Sequence, residues 1–253
     1  MSSPVFELRS VYKAYENHKG DRAKIVLRDI DLTVEENEFL CILGPSGCGK
    51  TTVLNLMAGF EMPLKGEVLF RGNPVKGPGP ERAVMFQEFS LMPWATVQRN
   101  VVFAMNRKKY SEKERTSMAL DYLDMVGLRH VADQRPSSLS GGMKQRVAIA
   151  RTLAMEPQTM LMDEPFCNLD EQTKAHLDQE ILNIWHEHRN TIVFITHSID
   201  EALSLGTRIV LMSSSPGRIV REWRVPEDMS RDASSDEYMA LRNEIRDALL
   251  DDD

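Results

Sequence analysis

One segment, residues 39–51, restricts the possible folds of this chain more than any other. It reads FLCIL followed by GPSGCGKT, and the continuous apolar run predicts a strand that is buried on both faces. The residues that follow, TTVLNLMAG, predict a helix. A strand, a glycine-rich turn ending in Gly-Lys-Thr and a helix together form a phosphate-binding loop. The segment therefore predicts an α/β core that binds a nucleotide.

The loop offers the contacts that a nucleoside triphosphate needs. Glycines let backbone N–H groups turn inward around phosphate oxygens, where side chains would obstruct them. Lys50 is expected to reach the β- and γ-phosphates, and the Thr51 hydroxyl is expected to ligate Mg²⁺. ATP and Mg²⁺ are therefore the predicted cofactors. The predicted nucleotide-binding residues here are Gly44, Pro45, Ser46, Gly47, Cys48, Gly49, Lys50, Thr51 and Thr52.

A second apolar run ends in two carboxylates. MLMDEP at 160–165 predicts a buried strand, whose end would place Asp163 beside the phosphate loop as a ligand of Mg²⁺. Glu164 would point toward the γ-phosphate and is the candidate general base for an attacking water. The alternative is an ordinary strand end with two solvated acids.

Two further polar residues follow apolar runs in the same way. Gln87 comes after AVMF and is a candidate contact for Mg²⁺ or the attacking water. His197 comes after TIVFIT and is a candidate hydrogen-bond partner of the γ-phosphate. Taken alone, His197 is more typical of a structural histidine. We predict Lys50, Gln87, Glu164 and His197 as the catalytic group, and Thr51, Gln87 and Asp163 as the metal ligands.

A second glycine-rich turn lies far downstream, in LSGGMKQR at 139–146. Ser140, Gly141 and Gly142 precede a predicted helix, so they offer an anion one hydroxyl, two N–H groups and the positive end of a helix dipole. The alternative is a simple glycine turn before a helix.

The rest of the chain alternates strand and helix patterns. Short β-rich runs lie at Val5–Val11 and Lys24–Val34, and residues 191–195 form another apolar strand. Residues 97–157 show helical periodicity instead, which predicts a helical insertion over about 90–157. A capping box, Ser111 with Glu114, marks one helix start. The predicted buried stripes are Met118, Tyr122 and Val126; Leu177, Ile181, Ile184, Trp185 and His188; and Leu241, Ile245 and Leu249.

Composition excludes several classes of protein. The formal net charge is −7, and residues 227–253 carry ten acidic and three basic side chains, so this tail holds the whole excess. The sequence has no cluster of basic residues of the kind that predicts nucleic-acid binding. The three cysteines, Cys41, Cys48 and Cys167, show no metal or disulfide spacing, which suits a reducing compartment. The chain shows neither a secretory signal nor an apolar run of the roughly 18–20 residues that a membrane span needs.

Taken in order, these motifs resemble the ATP-binding subunit of an ABC transporter. The phosphate loop matches Walker A, and residues 160–164 match the Walker B strand. Gln87 matches the Q-loop, Leu139–Met143 the signature, and His197 the switch histidine. The resemblance covers about residues 5–225. It implies a P-loop NTPase (RecA-like) α/β core, with an N-terminal antiparallel β subdomain and an inserted α-helical subdomain.

The resemblance also assigns roles that the residues alone do not show. It implies that Tyr15 stacks on the base and that Asp170 belongs to the D-loop, with Asn168 where a small residue is common. Asn37 replaces a usual glycine, in a turn where asparagine is tolerated. The signature of one subunit would serve the nucleotide of the other, so two copies, most simply a homodimer, would sandwich two ATP molecules head-to-tail across an isologous interface.

The subfamily is indicated by three further stretches. Residues 84–105 resemble the region of importers that receives a coupling helix, with Pro93-Trp94 as an exposed apolar element; the alternative is that Trp94 fills the local core. GPGPER at 77–82 and SSSPGRIV at 213–220 resemble subunits of importers for nitrate, sulfonates, taurine and related solutes. The implied domains are a nucleotide-binding domain over 1–226 and an acidic helical tail over 227–253.

The implied partners are membrane permease subunits, which would dock on the Gln87–Trp94 region, and indirectly a periplasmic or extracellular substrate-binding protein. The protein would then lie peripherally on the cytoplasmic face of the cell membrane. Two other functions are possible alternatives for such a chain. A soluble ABC ATPase acting on DNA or ribosomes usually has two cassettes, a coiled coil or a more basic surface. A regulatory ATP-binding module without turnover would not need Lys50, Asp163, Glu164 and His197 together.

Overall fold

A computed structural model describes residues 4–16, 23–86, 88–167, 169–226 and 229–250, with the side chain of His188 excepted. In chain order, the strands are β1 (Phe6–Tyr15), β2 (Lys24–Val34), β3 (Phe39–Leu43), β4 (Lys65–Phe70), β5 (Asn73–Pro74), β6 (Arg82–Met85), β7 (Thr159–Asp163), β8 (Thr191–Ile195), β9 (Arg208–Met212) and β10 (Ile219–Arg224). The helices are α1 (Lys50–Ala58), α2 (Val97–Ala104), α3 (Glu112–Met125), α4 (Gly141–Leu153), α5 (Glu171–His188), α6 (Ile199–Leu205) and α7 (Asp236–Leu250), with short 3₁₀ turns at Arg129–Val131 and Pro136–Ser138.

The chain divides into two compact units. The first comprises residues 1–79 and 189–253, and the second comprises residues 80–188. The first unit therefore contains the phosphate loop and His197, and the second contains both carboxylates and the second glycine turn.

The first unit holds two groups of strands. Strands β1, β2, β4 and β5 form an antiparallel sheet in the order β2-β1-β4-β5, as the resemblance implied for the N-terminal part. Strand β3 lies between β8 and β9 and pairs with both in parallel, and β10 pairs antiparallel with β9. Every residue of β3 and β8 is buried, which explains their continuous apolar sequences.

The turn before β3 contains Asn37. Its φ is 63°, in the left-handed region that asparagine tolerates better than most residues. Its backbone N–H donates to the hydroxyl of Thr191, at 3.0 Å. The replacement of the usual glycine by Asn37 is therefore compatible with this turn.

The second unit combines the parallel pair β6 and β7 with helices α2 to α5. The predicted capping box at Ser111 and Glu114 is present.

The predicted buried face of α3 is wrong in part, because Met118 and Tyr122 are only half-buried. The fully buried positions are Ala119, Leu123 and Val126. This i, i+4, i+7 stripe is rotated by one residue, because α3 packs against both α2 and α4.

Helix α5 follows its predicted stripe, with Leu177, Ile181 and Trp185 buried and Ile184 half-buried. The prediction for His188 concerns a side chain outside the described part.

The C-terminal helix α7 packs on α6, as its amphipathic pattern predicted. Ile245 is buried and Leu241 and Leu249 are half-buried. Arg242 forms an ion pair with Asp200 of α6, with Nε 2.7 Å from Oδ1. Within the described part of the chain, none of the helices combines the length and the hydropathy needed to cross a lipid bilayer.

Candidate nucleotide-binding and hydrolysis site

The backbone of the phosphate loop depends on its glycines. Gly47 and Gly49 have φ angles of 78° and 100°, in the left-handed region that other residues rarely adopt. A Cβ atom on Gly49 would also lie 2.6 Å from the Leu27 side chain. Helix α1 begins directly afterwards, at Lys50. The N–H groups of the loop therefore lie next to the N-terminal end of this helix, where its dipole is positive.

Lys50 is held along the loop. Its side chain is almost fully buried, with the residue 6% exposed, and its Nζ donates to the carbonyl oxygens of Gly44 at 2.7 Å and Pro45 at 3.0 Å. The positive charge is therefore fixed within the loop by short contacts to its backbone. Thr51 begins the exposed side of α1, where its hydroxyl is accessible.

Gly217 packs against the backbone of the phosphate loop, and the sequence motifs did not predict this contact. A Cβ atom on Gly217 would lie only 1.9 Å from the carbonyl oxygen of Cys48. The backbone N–H of Gly217 donates to Val26, and its carbonyl accepts from Arg28. In the sequence, SSSPGRIV carries only a family resemblance. The Pro-Gly pair within it is a turn signal, but only the tertiary structure places this turn against the loop.

Cys48 lies inside this packed region, where burial raises the pKa of its thiol, although nearby Lys50 opposes the rise. The thiol of this loop residue is therefore protonated and buried, and only its backbone is left to face a phosphate.

Tyr15 ends β1 and reaches α1. Its hydroxyl donates to the Glu61 carboxylate at 2.7 Å and lies 3.3 Å from the hydroxyl of Thr52. Burial raises the pKa of Tyr15 to about 12, so the hydroxyl stays protonated. The residue remains 39% exposed. Tyr15 is thus a fixed, partly exposed aromatic ring next to the helix that follows the phosphate loop.

His197 lies at the same sheet edge as the phosphate loop. Ile195 of β8 is paired in register with Ile42 of β3, so the residues after both strands emerge side by side. His197 is exposed there. Ser198 next to it caps α6 by accepting a hydrogen bond from the N–H of Glu201, which fixes the backbone just beyond the histidine.

The carboxylates belong to the second unit. Asp163 is the last residue of β7 and is buried, and Glu164 follows it half-buried. Glu164 has a φ of 46°, which is an uncommon left-handed conformation for a residue other than glycine. Gln87, which follows β6, lies outside the described residues.

The second glycine turn caps a helix. Ser140 is exposed, and its hydroxyl accepts a hydrogen bond from the N–H of Met143 at 3.2 Å while keeping its own hydrogen for donation. Gly141 and Gly142 form the first turn of α4, whose N–H groups have no partners within the helix. These three residues therefore present a hydroxyl, and backbone N–H groups that the helix leaves unpaired, at the start of the helix.

Asp170 caps α5, which gives it a structural contact in addition to the predicted role. It accepts hydrogen bonds from the N–H and the hydroxyl of Thr173, at 3.0 and 2.8 Å. These bonds hold the pKa of Asp170 below its ordinary value. Asn168, the other D-loop residue named above, lies outside the described part.

The structure thus places the predicted residues in two groups. The first unit brings together the phosphate loop, Tyr15 and His197. The second unit carries Asp163, Glu164, the Ser140 turn and Asp170.

An exposed cleft lies beside the Ser140 turn in the second unit. Its volume is about 560 Å³, and its lining residues are Glu88, Phe89, Ser90, Leu91, Pro93, Pro136, Ser137 and Lys144. Trp94 is 74% exposed near its rim and Phe103 of α2 is also exposed. The alternative interpretation of Trp94 as core filling is therefore wrong.

The donor types fit a magnesium nucleotide. A hydroxyl and a carboxylate, as in Thr51 and Asp163, are hard oxygen ligands of the kind that Mg²⁺ takes together with phosphate oxygens. Among the residues that the structure describes, no group of three or more His, Cys, Asp or Glu side chains could hold a metal by itself.

Comparison with known proteins identifies the family. The model of the family described as ABC transporter matches residues 27–167, which is more than half of the chain. The chain belongs to the ABC transporter family. The bicarbonate transport ATP-binding protein CmpD of Synechococcus elongatus is 42% identical to it over 253 residues, covering 97% of this chain and 90% of that protein. The nitrate import ATP-binding protein NrtD of the same organism is 43% identical over 232 residues, covering 89% and 85%.

A solved structure agrees with the sequence comparisons. The dimeric post-hydrolysis state of the ATP-binding cassette MJ0796, bound to ADP and Pi, matches with a TM-score of 0.79 at 33% identity. The match covers 87% of this chain and 99% of that one. The predicted P-loop NTPase fold, the resemblance to ATP-binding subunits of the nitrate type and ATP hydrolysis are confirmed. This ABC subunit binds and hydrolyses ATP.

Proposed function

We propose that this ABC subunit powers uptake of a small anionic solute through membrane permease subunits to which it binds on the cytoplasmic face. The observation that carries the proposal is its similarity along nearly the whole chain to CmpD and NrtD, which act in bicarbonate and nitrate transport. The proposed solutes are accordingly small anions such as nitrate, bicarbonate and sulfonates, taurine included. A substrate-binding protein outside the membrane would deliver the solute.

The proposed working unit is a head-to-tail dimer. Ser140 and the two following glycines present a hydroxyl and N–H groups to solvent, which suits a phosphate carried by another copy. The matched structure of MJ0796 is dimeric. In such a pair, each nucleotide would lie between the phosphate loop of one subunit and the Ser140 turn of its partner.

Each predicted residue has one task in the proposed reaction. Lys50 neutralises charge on the β- and γ-phosphates, and the loop N–H groups hold the phosphate oxygens. Glu164 accepts a proton from the attacking water, and His197 donates a hydrogen bond to the γ-phosphate. Thr51, Asp163 and Gln87 would hold Mg²⁺, which would supply stabilisation of the negative charge that develops on the phosphates. The ring of Tyr15 stacks on the adenine.

The cleft beside Trp94 is the proposed docking place of the permease. Its lining is largely apolar at Phe89, Leu91 and Pro93, and an exposed Trp94 at its rim is the type of side chain that anchors protein interfaces. Arg151 of α4 donates to the carbonyl oxygens of Ser90 and Phe89, at 2.7 and 3.1 Å. A docked partner would therefore contact a loop that is tied to the helix of the Ser140 turn.

The substitution Ser140→Arg tests the shared site. The bulky side chain should block the partner's phosphate, so ATPase turnover should fall by about two orders of magnitude, while ATP binding to the monomer stays unchanged. Steady-state turnover and nucleotide-binding titrations measure the two effects. Ser117→Arg adds the same side chain to the exposed face of α3 and serves as control. Full turnover of Ser140→Arg would disprove the trans arrangement.

Purification of the intact membrane complex tests the transport proposal. The tagged subunit should be recovered with permease subunits, and the isolated substrate-binding protein should bind nitrate, bicarbonate or a sulfonate in calorimetric titration. Stimulation of ATPase activity in the reconstituted complex by the loaded binding protein would support the proposal. Recovery with ribosomes or DNA-bound factors, and no permease, would favour the soluble alternative.

A further inference from the structure

Gln145 of α4 makes a contact that none of the roles above uses. Its residue is 0% exposed, and its amide nitrogen Nε2 donates a hydrogen bond of 2.6 Å to the carbonyl oxygen of Pro165. Pro165 directly follows Glu164 in the chain. One short, buried hydrogen bond thus joins the helix of the Ser140 turn to the backbone immediately after the proposed general base.

The backbone at Glu164 needs such a tether. Its φ of 46° is a left-handed conformation that is unfavourable for a residue other than glycine. Such conformations persist only where the surrounding structure holds them. Proline fixes its own φ, so holding the Pro165 carbonyl restricts the peptide that follows Glu164. The direction of the Glu164 side chain is set by that same backbone.

The environment of Gln145 argues against a role in stability alone. Its Oε1 is buried and accepts no hydrogen bond from the described residues. A buried polar atom without a partner is unfavourable, and an apolar side chain of the same size would avoid this cost. Filling of the core therefore does not account for an amide at position 145. The hydrogen bond that this amide donates to Pro165 does.

Helix α4 also carries the Ser140 turn at its start, five residues before Gln145. A shift of this helix would move the turn and the Pro165 carbonyl together, because Gln145 bonds to the latter. The helix would in this way link the placement of the Ser140 turn to the placement of Glu164.

We propose that Gln145 is a positioning residue, which holds Glu164 in its reactive orientation through the Pro165 carbonyl and links it to the Ser140 turn. The proposal rests on the role of Glu164 given under the proposed function. It assigns to Gln145 no contact with the nucleotide.

The substitution Gln145→Met tests the proposal in the full chain. Methionine has a similar length and no donor, so Glu164 should lose its orientation while the core stays filled. We expect kcat to fall by about ten- to a hundredfold, since small displacements of catalytic groups have effects of this size. The KM for ATP should change by less than about twofold, because binding is left intact. The midpoint of thermal unfolding should shift by only a few degrees.

A matched control lies on the same helix. Thr152 is buried. Among the described residues, its hydroxyl donates one hydrogen bond, to the carbonyl oxygen of Ala148 one helical turn earlier, at 3.0 Å. Thr152→Val removes a buried polar group from α4 without touching Pro165, and it should keep kcat within about twofold. Gln145→Asn draws the amide back by one methylene group and should also lower kcat. It replaces the methionine variant if that protein does not fold.

The double variant with Glu164→Gln separates this proposal from the previous one. If Gln145 acts through Glu164, then Gln145→Met should cause no further loss of single-turnover rate in that background. A further loss of tenfold or more there, or an equal loss in Thr152→Val, would overturn the proposal. If Gln145→Met has a normal kcat while Glu164→Gln is inactive, the role of Gln145 is disproved and the role of Glu164 as the base is retained. Normal turnover of Glu164→Gln would instead remove Glu164 as the base.

Discussion

Replacement of Glu164 by glutamine is expected to stop turnover while ATP still binds. Glutamine keeps the size of the side chain but cannot accept a proton from water, and general bases typically contribute about 10²- to 10⁴-fold to a rate. The ATP-bound dimer should then accumulate, because hydrolysis no longer opens it. Turnover assays measure the loss, and size-exclusion chromatography with Mg²⁺ and ATP detects the trapped dimer.

Glu171→Gln provides the control for charge. Glu171 begins α5 with a side chain that is 94% exposed, and among the described residues its ion pair is one at the surface with Lys174. The same loss of one negative charge there should leave turnover within about twofold. Turnover of Glu164→Gln equal to that of the unchanged protein would show that another group activates the water.

Replacement of Lys50 by alanine is expected to abolish tight ATP binding. Hydrogen bonds to charged groups contribute about 1.5–3 kcal/mol each, and Lys50 would make one with each of two phosphates. The affinity should therefore fall by roughly two to four orders of magnitude. Titration of a fluorescent ATP analogue measures the loss directly.

Lys24→Ala is the matched control for this variant. Lys24 is exposed at the start of β2 in the same unit, and its removal should leave the affinity unchanged. Lys50 also donates to the carbonyls of Gly44 and Pro45, so thermal unfolding must be measured to exclude collapse of the loop. Tight binding by a folded Lys50→Ala protein would contradict the predicted phosphate site.

The sequence predicted five strands, β1, β2, β3, β7 and β8, and the phosphate loop, because their patterns are local. A short apolar run such as FLCIL, followed directly by a glycine, favours a strand buried on both faces, and the loop needs glycines where its backbone turns inward. The capping box at Ser111 and Glu114 was predictable for the same reason, since both partners lie within one helical turn. The family resemblance added the order of the motifs and the roles of Tyr15 and Asp170.

The predictions that failed concern how elements face one another. The stripe of α3 is rotated toward Ala119 and Leu123, because a helix with several apolar positions is turned by the neighbours on which it packs. For Trp94, by contrast, the sequence predicts an exposed element with core filling as the alternative, and the 74% exposure of the residue decides for the first. Hydrophobic periodicity shows that a helix has an apolar face, but it does not show which element packs against that face.

The sequence by itself determined that this chain has a phosphate loop, a second glycine turn before a helix and two carboxylates at a strand end. Each is a pattern of residues close together in the chain. Only the tertiary structure decided that Gly217 packs on the carbonyl of Cys48 and that Gln145 bonds to Pro165. These contacts join segments whose spacing in the chain carries no signal, because the folded path of the backbone alone brings them within bonding distance.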